Sequence, residues 1–187
     1  MLTATYSLVA ITAEQEKTRS RLTRFQRFVE ASWKDLQAID FGFLEAGFQR
    51  MLQFDQFLRQ RKIELYLIPA LKGLSREADL LIAELEALAA QAGRVLQETA
   101  SELAARVEFS RIQVSQACES MQAYCRCVAS RLHLEDQALL PLARRLLSVE
   151  DWFRLASEFL SRDNQDGRKP APPMRTPRHV GRSSDLY

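Results

Sequence analysis

The strongest constraint on how this chain folds is a stripe of apolar residues that repeats at helical spacing in its second half. The stripe runs through Val107, Val114, Cys118, Met121, Cys125, Val128, Leu132, Glu135, Leu139 and Leu142. From Val114 onward its steps alternate between four and three residues, which keeps these side chains on one face of an α-helix. A seam of this kind is typical of helices that pack side by side in an antiparallel bundle.

The remainder of the chain up to about residue 161 shows similar periodicity. The 187 residues include only 6 Gly and 6 Pro, and four of the prolines lie in the last twenty positions, so long helices are not interrupted. Apolar spacing predicts five helices. Their predicted bounds are residues 13–36, 41–68, 76–100, a fourth helix that begins near Ser101 and carries the stripe, and 151–160.

Local signals indicate where several of these helices begin and end. The second helix is expected to stop near Pro69, because proline disfavours a helical conformation in the residue before it. Residues 72–73 (Lys-Gly) are predicted to form a turn, and Ser75 is suited to cap the third helix. Ser148 and Asp151 resemble a capping box that opens the fifth helix.

These features predict an all-α fold class, an antiparallel up-down-up-down four-helix bundle with a short C-terminal fifth helix. We expect residues 1–12 to form a loose N-terminus, residues 13–162 to form the bundle, and residues 163–187 to form a disordered, basic, proline-rich tail. The prediction for the tail follows from its four prolines and its lack of apolar periodicity.

The small formal net charge of +2 conceals an uneven distribution. Residues 168–187 contain five basic residues and one acidic residue, so the tail is basic and the remainder is slightly acidic. Such a tail could bind nucleic acid, an anionic membrane or an acidic protein partner. Its modest charge density favours a solubilising, unstructured end, and nucleic acid is not expected as a partner.

The composition also gives an expectation about the cellular compartment in which the protein resides. No stretch reaches the roughly 18 apolar residues that a membrane span requires, and residues 1–11 lack the basic start and cleavage site of a secretory signal. The three cysteines are odd in number and lie close together, between positions 118 and 127. We therefore predict buried, reduced thiols without a metal or redox role, and a cytoplasmic location.

Two glutamates lie where the helical period calls for apolar side chains. Glu135 belongs to the stripe described above. Glu64 lies on a second predicted helix face with the same spacing, formed by Phe54, Phe57, Arg61, Glu64, Ile68 and Leu71. A carboxylate in a protein core costs free energy unless it is paired or coordinated. These two positions are therefore the first candidates for a functional site.

The residues around these glutamates resemble a known family. Residues 135–152 (EDQALLPLARRLLSVEDW) are similar to the last-helix signature of the hemerythrin-like HHE cation-binding family, in which a Glu leads into a Leu-Pro step and a short helix that opens with Asp-Trp. Glu64, followed by Leu-Tyr-Leu-Ile-Pro, resembles a second element of that family, and Glu77-Ala-Asp-Leu resembles the opening of its third helix. The resemblance covers about residues 18–160 and implies a four-helix bundle around a metal site.

The resemblance also implies which positions would hold the metal. In the family, histidines from four helices and two bridging glutamates bind two iron atoms. Here the two glutamates match, whereas the histidine positions hold other residue types, so no di-iron cofactor is expected. The vestigial metal-site positions are Gln60, Glu64, Ala78, Arg131 and Glu135, with Arg19 as the nearest equivalent on the first helix.

The two histidines of the chain do not replace these ligands. His133 lies roughly 200° around a helix from Arg131, because successive residues differ by about 100°. It is expected on the surface or rim of the bundle. His179 lies in the tail.

Two interpretations of the site stay open. In the first, Arg131 compensates the two carboxylates with help from Gln60 and Arg61, and the protein is a non-catalytic interaction or regulatory module. In the alternative, the glutamates bind a divalent cation such as Mg²⁺ or Mn²⁺, with Asp136, Glu77 or water completing the shell, in a metal- or oxygen-related protein. No Ser/His/Asp grouping, phosphate loop or HExxH motif occurs, so the chain is not expected to be an enzyme. The sequence names no partner and no oligomeric state.

Overall fold

The computed structural model describes residues 2–34, 41–104 and 111–166. Every regular element in these ranges is helical, and they contain no strand, which confirms the all-α class for this part of the chain. The α-helices are α1 (Leu2–Lys34), α2 (Phe41–Arg59), α3 (Ile68–Leu71), α4 (Arg76–Ala104), α5 (Arg111–Leu134), α6 (Leu140–Leu146) and α7 (Val149–Asp166). Two short π-helical segments, Ile63–Leu67 and Glu135–Leu139, precede α3 and α6. None of the described helices is long and apolar enough to cross a membrane.

The prediction of a loose N-terminus over residues 1–12 is wrong, because α1 already begins at Leu2. Its first turns pack on α7, where the Ser7 hydroxyl donates to the Trp152 carbonyl over 3.4 Å. The buried stripe of α1 contains three polar residues, Ser7, Gln15 and Thr18, besides Ile11. Because the residues that face the core are partly polar, the apolar periodicity that predicts a helix is hidden at this end.

The predicted second helix is interrupted. A helix over residues 41–68 was expected, but α2 ends at Arg59, a turn follows, and the first π-helical segment leads into α3. Pro69 lies near the start of α3, so helical structure continues past the predicted end at Pro69 as far as Leu71.

The boundary predicted near Ser101 is also wrong. Ser101 lies inside α4, where its hydroxyl donates to the Gln97 carbonyl over 2.9 Å and does not cap a new helix. A serine hydroxyl can make this local bond within a helix, so serine alone does not mark a helix start. The following helix, α5, is described from Arg111.

The other helix ends agree with the sequence signals. Gly73 has a φ of +80°, a conformation that glycine adopts without steric cost, and the Ser75 hydroxyl accepts the Ala78 N–H over 3.1 Å. Ser148 and Asp151 form the predicted capping box: the Asp151 N–H donates to the Ser148 hydroxyl over 3.2 Å, and the Ser148 N–H donates to the Asp151 carboxylate over 3.1 Å. The helix that they open, α7, is longer than the predicted 151–160 and reaches Asp166.

The two π-helical segments have the same relation to the two prolines outside the tail. In each, a backbone N–H bonds five residues back, from Ile68 to Ile63 and from Leu140 to Glu135, and the next residue is proline. Proline has no N–H, and its ring clashes with the carbonyl four residues earlier in an α-helix. The wider π turn is one way to relieve this conflict, and such turns are frequent at functional sites.

The core of the described residues contains two main apolar clusters. One includes Ile11, Ile63 and Leu139, and the other includes Leu22, Leu58 and Leu132. Along each of three elements, a buried polar or charged residue lies between members of the two clusters. These residues are Gln15 on α1, Arg61 before the first π-helical segment and Glu135 at the start of the second.

Residues 167–187, which hold nearly all of the predicted disordered tail, lie outside the described residues. The first four residues of the predicted tail, 163–166, instead belong to α7, so the prediction is wrong for them.

Candidate functional site

The centre of the candidate site is the guanidinium of Arg61, which is only 1% exposed. Its two terminal nitrogens bind the Glu135 carboxylate at both oxygens, with Nη1–Oε2 at 2.8 Å and Nη2–Oε1 at 2.6 Å. Nη2 also donates to Glu64 Oε1 over 2.8 Å. This paired, bidentate geometry is the strong form of the arginine–carboxylate contact.

Arg131 completes the cluster from α5. Its Nη2 donates to Glu64 Oε2 over 2.7 Å, and its Nε lies 3.3 Å from Glu135 Oε1 without a hydrogen bond. Each glutamate therefore lies beside both arginines, and the two positive and two negative charges balance. The two carboxylates therefore lie close together inside the protein, since Arg61 Nη2 bonds to an oxygen of each.

Gln15 of α1 also bonds to this group, and it was not among the predicted site residues. Its side-chain amide donates to Glu135 Oε2 over 2.8 Å and accepts from Arg61 Nη1 over 3.0 Å. All four carboxylate oxygens of Glu64 and Glu135 thus accept a hydrogen bond from Gln15, Arg61 or Arg131. A signal for Gln15 is present in the sequence, because steps of four and three residues back from Leu22 reach Thr18 and Gln15, which places a glutamine on the apolar face of the first helix. These five residues are called the ion cluster below.

The break between α2 and the first π-helical segment positions Arg61. Its Nε donates to the carbonyl of Leu58, in the last turn of α2, over 3.3 Å. Directly after it, the Lys62 N–H donates to Glu14 Oε2 over 2.6 Å, which satisfies a backbone donor at the start of the π-helical segment. Glu14 is the neighbour of Gln15, so one turn of α1 supports both the break and the ion cluster.

Charge and burial act in opposite directions on Arg61. Burial disfavours its charged form, but the negative charge and hydrogen bonds of Glu135 and then Glu64 outweigh this and raise the pKa of Arg61 above its ordinary value. The guanidinium is therefore charged at every physiological pH. For Glu14, burial is the largest influence and raises the pKa, although the Lys62 N–H and the neighbouring cations oppose it.

The predicted role of Arg131 as the main compensating cation needs correction. Arg131 contacts both glutamates, but Arg61 is more deeply buried and holds Glu135 by both oxygens. Arg61 was expected to act only as a helper, together with Gln60, although it shares the helical period of Glu64. The turn after α2 instead exposes Gln60 and turns Arg61 into the core.

The other predicted site positions do not join the ion cluster. Ala78 is buried in the apolar core and has no polar side-chain atom, and Gln60 is exposed. The possible extra ligands are also engaged elsewhere, since Asp136 pairs with Arg19 and Glu77 pairs with Arg145. Of the five predicted positions, the structure brings together Glu64, Arg131 and Glu135, whereas Gln60 and Ala78 lie apart from them.

The donor set does not fit a metal of the family's type. No group of three or more His, Cys, Asp or Glu side chains placed to hold a metal ion occurs in the described ranges. Di-iron sites in helical bundles combine imidazole nitrogens with carboxylates, and here two guanidinium groups occupy the positions around the carboxylates.

The burial of the cysteines and the exposure of His133 agree with the predictions from the sequence. Cys118, Cys125 and Cys127 are free thiols and are buried among apolar side chains, and burial raises the pKa of Cys125 to about 12. A thiol with so high a pKa is a poor nucleophile and a poor metal ligand. His133 is exposed.

A cavity of about 420 Å³ lies beside the accessible side of the ion cluster, where Glu64 and Arg131 form part of its lining. Apolar side chains from α2, α4 and α5 form part of the walls, among them Leu58, Ala92 and Val128, and four further charged residues also line the cavity: Asp55, Arg59, Lys72 and Glu86. The ion cluster is therefore closed at Arg61 and Glu135 but borders open space at Glu64, whose side chain is 17% exposed.

Comparisons of the chain with protein-family models, with curated proteins and with solved structures found no match. Over the part of the chain that the structure describes, the fold and the site together define an all-helical protein with a charge-balanced ion cluster in its core.

Proposed function

We propose that this protein is a hemerythrin-like helical bundle in which an arginine–glutamate ion cluster replaces the di-iron centre, and that it serves as a non-catalytic interaction or regulatory module. The bound guanidinium of Arg61 carries this proposal. It lies between Glu64 and Glu135, which match the bridging glutamates of the family, and supplies positive charge where that family has metal ions.

The proposal includes the arrangement of the helices. We propose an up-down-up-down bundle of four units: α1, α2 with the π-helical segment that follows it, α4, and α5 with α6. The remaining helix, α7, is the additional fifth helix. The contacts of α1 with α2 and α5, and of α4 with α2 and α5, support this order. The contact of α1 with α7 supports a fifth helix that covers one end of the first.

A cytoplasmic location belongs to the same proposal. Three buried free thiols are typical of proteins that reside in a reducing compartment.

The alternative, a divalent cation bound by the two glutamates, would need a different state of the site. A cation such as Mg²⁺ takes about six oxygen ligands, and all four carboxylate oxygens already accept hydrogen bonds. Binding would have to displace Arg61, which would then be a buried charge without a partner.

Metal analysis of the purified protein tests the proposal. We expect far less than one iron, manganese or other transition-metal ion per chain by elemental mass spectrometry, and no visible absorption band. A chelator should leave the thermal unfolding midpoint unchanged. Iron near two atoms per chain, or a midpoint that rises when Mg²⁺ or Mn²⁺ is added, would contradict it.

A designed variant provides the complementary test. Since Arg61 and Arg131 occupy the space around the glutamates, Arg61→His with Arg131→His places two imidazoles beside two carboxylates. We expect this double variant to gain affinity for a divalent transition metal that the unaltered protein lacks, measured by calorimetry. The exposed residue Gln60 offers a control, because Gln60→His with Arg131→His should gain less.

A further inference from the structure

A groove between α1 and α2 is lined by arginine and aromatic side chains. Its volume is about 470 Å³, within the range of small-molecule sites in proteins. The lining residues are Arg21, Arg24, Phe25, Arg50, Gln53 and Phe54. These six residues define the α1–α2 groove, and none of them is acidic. The cavity beside the ion cluster, in contrast, is lined by equal numbers of acidic and basic residues.

The three arginines of this groove are not neutralised by carboxylates. Within the described ranges, none of Arg21, Arg24 and Arg50 forms an ion pair, although other arginines of the same two helices do, such as Arg59 with Asp55. Arg24 makes one local bond, from its Nε to the Ser20 carbonyl over 3.2 Å. The groove therefore presents three positive charges to whatever enters it.

Two of these guanidinium groups are held in place by aromatic rings. The Arg21 Cζ atom lies 4.0 Å from the centroid of the Phe57 ring, and the Arg50 Cζ atom lies 4.2 Å from that of Phe28. Stacking uses the face of a guanidinium and leaves the N–H groups at its edge available as donors. Because the side chains are ordered in advance, less conformational entropy is lost when an anion binds.

We propose that the α1–α2 groove binds a small soluble compound that carries phosphate groups. A tetrahedral phosphate presents several anionic oxygens in different directions, so three guanidinium groups can donate to it together, whereas one carboxylate has only two oxygens. The buried rings of Phe25 and Phe54 form an apolar floor for the rest of the ligand. This inference is independent of the ion cluster and of the function proposed from it.

Titration calorimetry of the full chain with tripolyphosphate tests this proposal. We expect saturable binding that weakens as salt is raised, and about a tenfold loss of affinity in each of Arg24→Gln and Arg50→Gln, since each removes a charge-assisted hydrogen bond. Arg94→Gln is the matched control: it removes the same charge from an exposed position on α4 and should leave the affinity within twofold. The double variant Arg175→Gln with Arg178→Gln is the control for the basic tail, and it should also leave the affinity within twofold.

Three results would overturn the proposal. The first is no binding of tripolyphosphate by the unaltered protein. The second is an equal loss of affinity in the Arg94 or tail controls, which would assign binding to net charge. The third is a competing ligand that binds as tightly as tripolyphosphate through the same arginines. If citrate did so, the ligand would be a carboxylate, and if vesicles with anionic lipid did so, it would be a membrane surface.

Discussion

At the scale of single residues, burial determines the importance of each member of the ion cluster. Arg61 and Glu135 are almost completely buried, whereas Glu64 and Arg131 keep some contact with solvent. Removing one partner of a buried ion pair leaves the other charge unpaired in a medium of low polarity. Arg61 should therefore contribute more to stability than Arg131.

We expect Arg61→Ala to lower the free energy of unfolding by roughly 3–5 kcal/mol, the usual cost of breaking a buried ion pair. Arg131→Ala should also destabilise the protein, but less, and added iron should rescue neither variant. Urea unfolding followed by circular dichroism measures both. Arg59→Ala is the matched control, since Arg59 pairs with Asp55 near the surface and should cost less than about 1 kcal/mol. A ranking with Arg131 above Arg61 would contradict the central role of Arg61.

Glu14 gives a prediction about pH. Burial raises its pKa in the folded protein above the ordinary value of 4.5, so its ionised form is disfavoured in the folded state. This penalty is absent at a pH below the pKa that Glu14 has in the unfolded chain, and it is fully present at a pH above the pKa that Glu14 has in the folded protein. Glu14→Gln keeps an oxygen for the Lys62 N–H and should therefore raise the unfolding free energy at pH 7, with the gain shrinking as pH falls towards 4. A variant that is less stable at pH 7 would show that the hydrogen bond to Lys62 requires the charge.

At the scale of helices and turns, the local chemistry of helix ends and prolines determines the boundaries. Ser75, Ser148 and Asp151 make the capping bonds that their positions predict. The two π-helical segments, in contrast, occur where a proline must be accommodated inside a continuing helix. Each segment also contains one of the two glutamates of the ion cluster, so the same irregularity that accommodates proline occurs at the site.

The capping box leads to a prediction at this scale. Ser148→Ala removes the acceptor of the Asp151 N–H at the start of α7 and should cost about 1 kcal/mol of stability. Ser101→Ala is a matched control: Ser101 lies within α4, where alanine is the better helix former, so this change should be neutral or slightly stabilising. Thermal unfolding of the two variants measures the difference. Equal effects would mean that the cap does not stabilise α7.

At the scale of the whole molecule, the charged contacts lie between two apolar clusters. Each of α1, the chain after α2, and the chain after α5 contributes one buried polar or charged residue at this level, namely Gln15, Arg61 and Glu135. Hydrogen bonds join all three. A hydrogen-bonded layer of this kind fixes the axial positions of the helices relative to one another. If one helix slid along its axis, the buried charges would separate from their partners, and no water could replace those partners.

The predicted tail gives the last test. Deleting residues 168–187 should leave the thermal unfolding midpoint within about 2 °C of the full chain, because a segment with four prolines and few apolar residues has little surface to bury. Differential scanning calorimetry of the two forms makes the comparison. A drop of several degrees would mean that the segment packs on the helices.

The sequence by itself determined the features that depend on neighbours within about four residues. Helical periodicity identified the class of the fold, capping residues located the starts of α4 and α7, and glutamates on apolar faces identified Glu64 and Glu135 as unusual. These signals are local because the hydrogen bonds and side-chain neighbours of a helix are local.

Only the tertiary structure decided which groups compensate the two carboxylates. Gln15 and Arg61 contact Glu135 across 120 and 74 residues of sequence, and no helical spacing relates positions so far apart. The same holds for the start of α1, where Ser7 is buried and bonds to Trp152 of α7 across 145 residues of sequence. The helical period places Arg61, and not Gln60, on the face of Glu64, but only the packing of the segments that follow α2 and α5 brings Arg61 to Glu135.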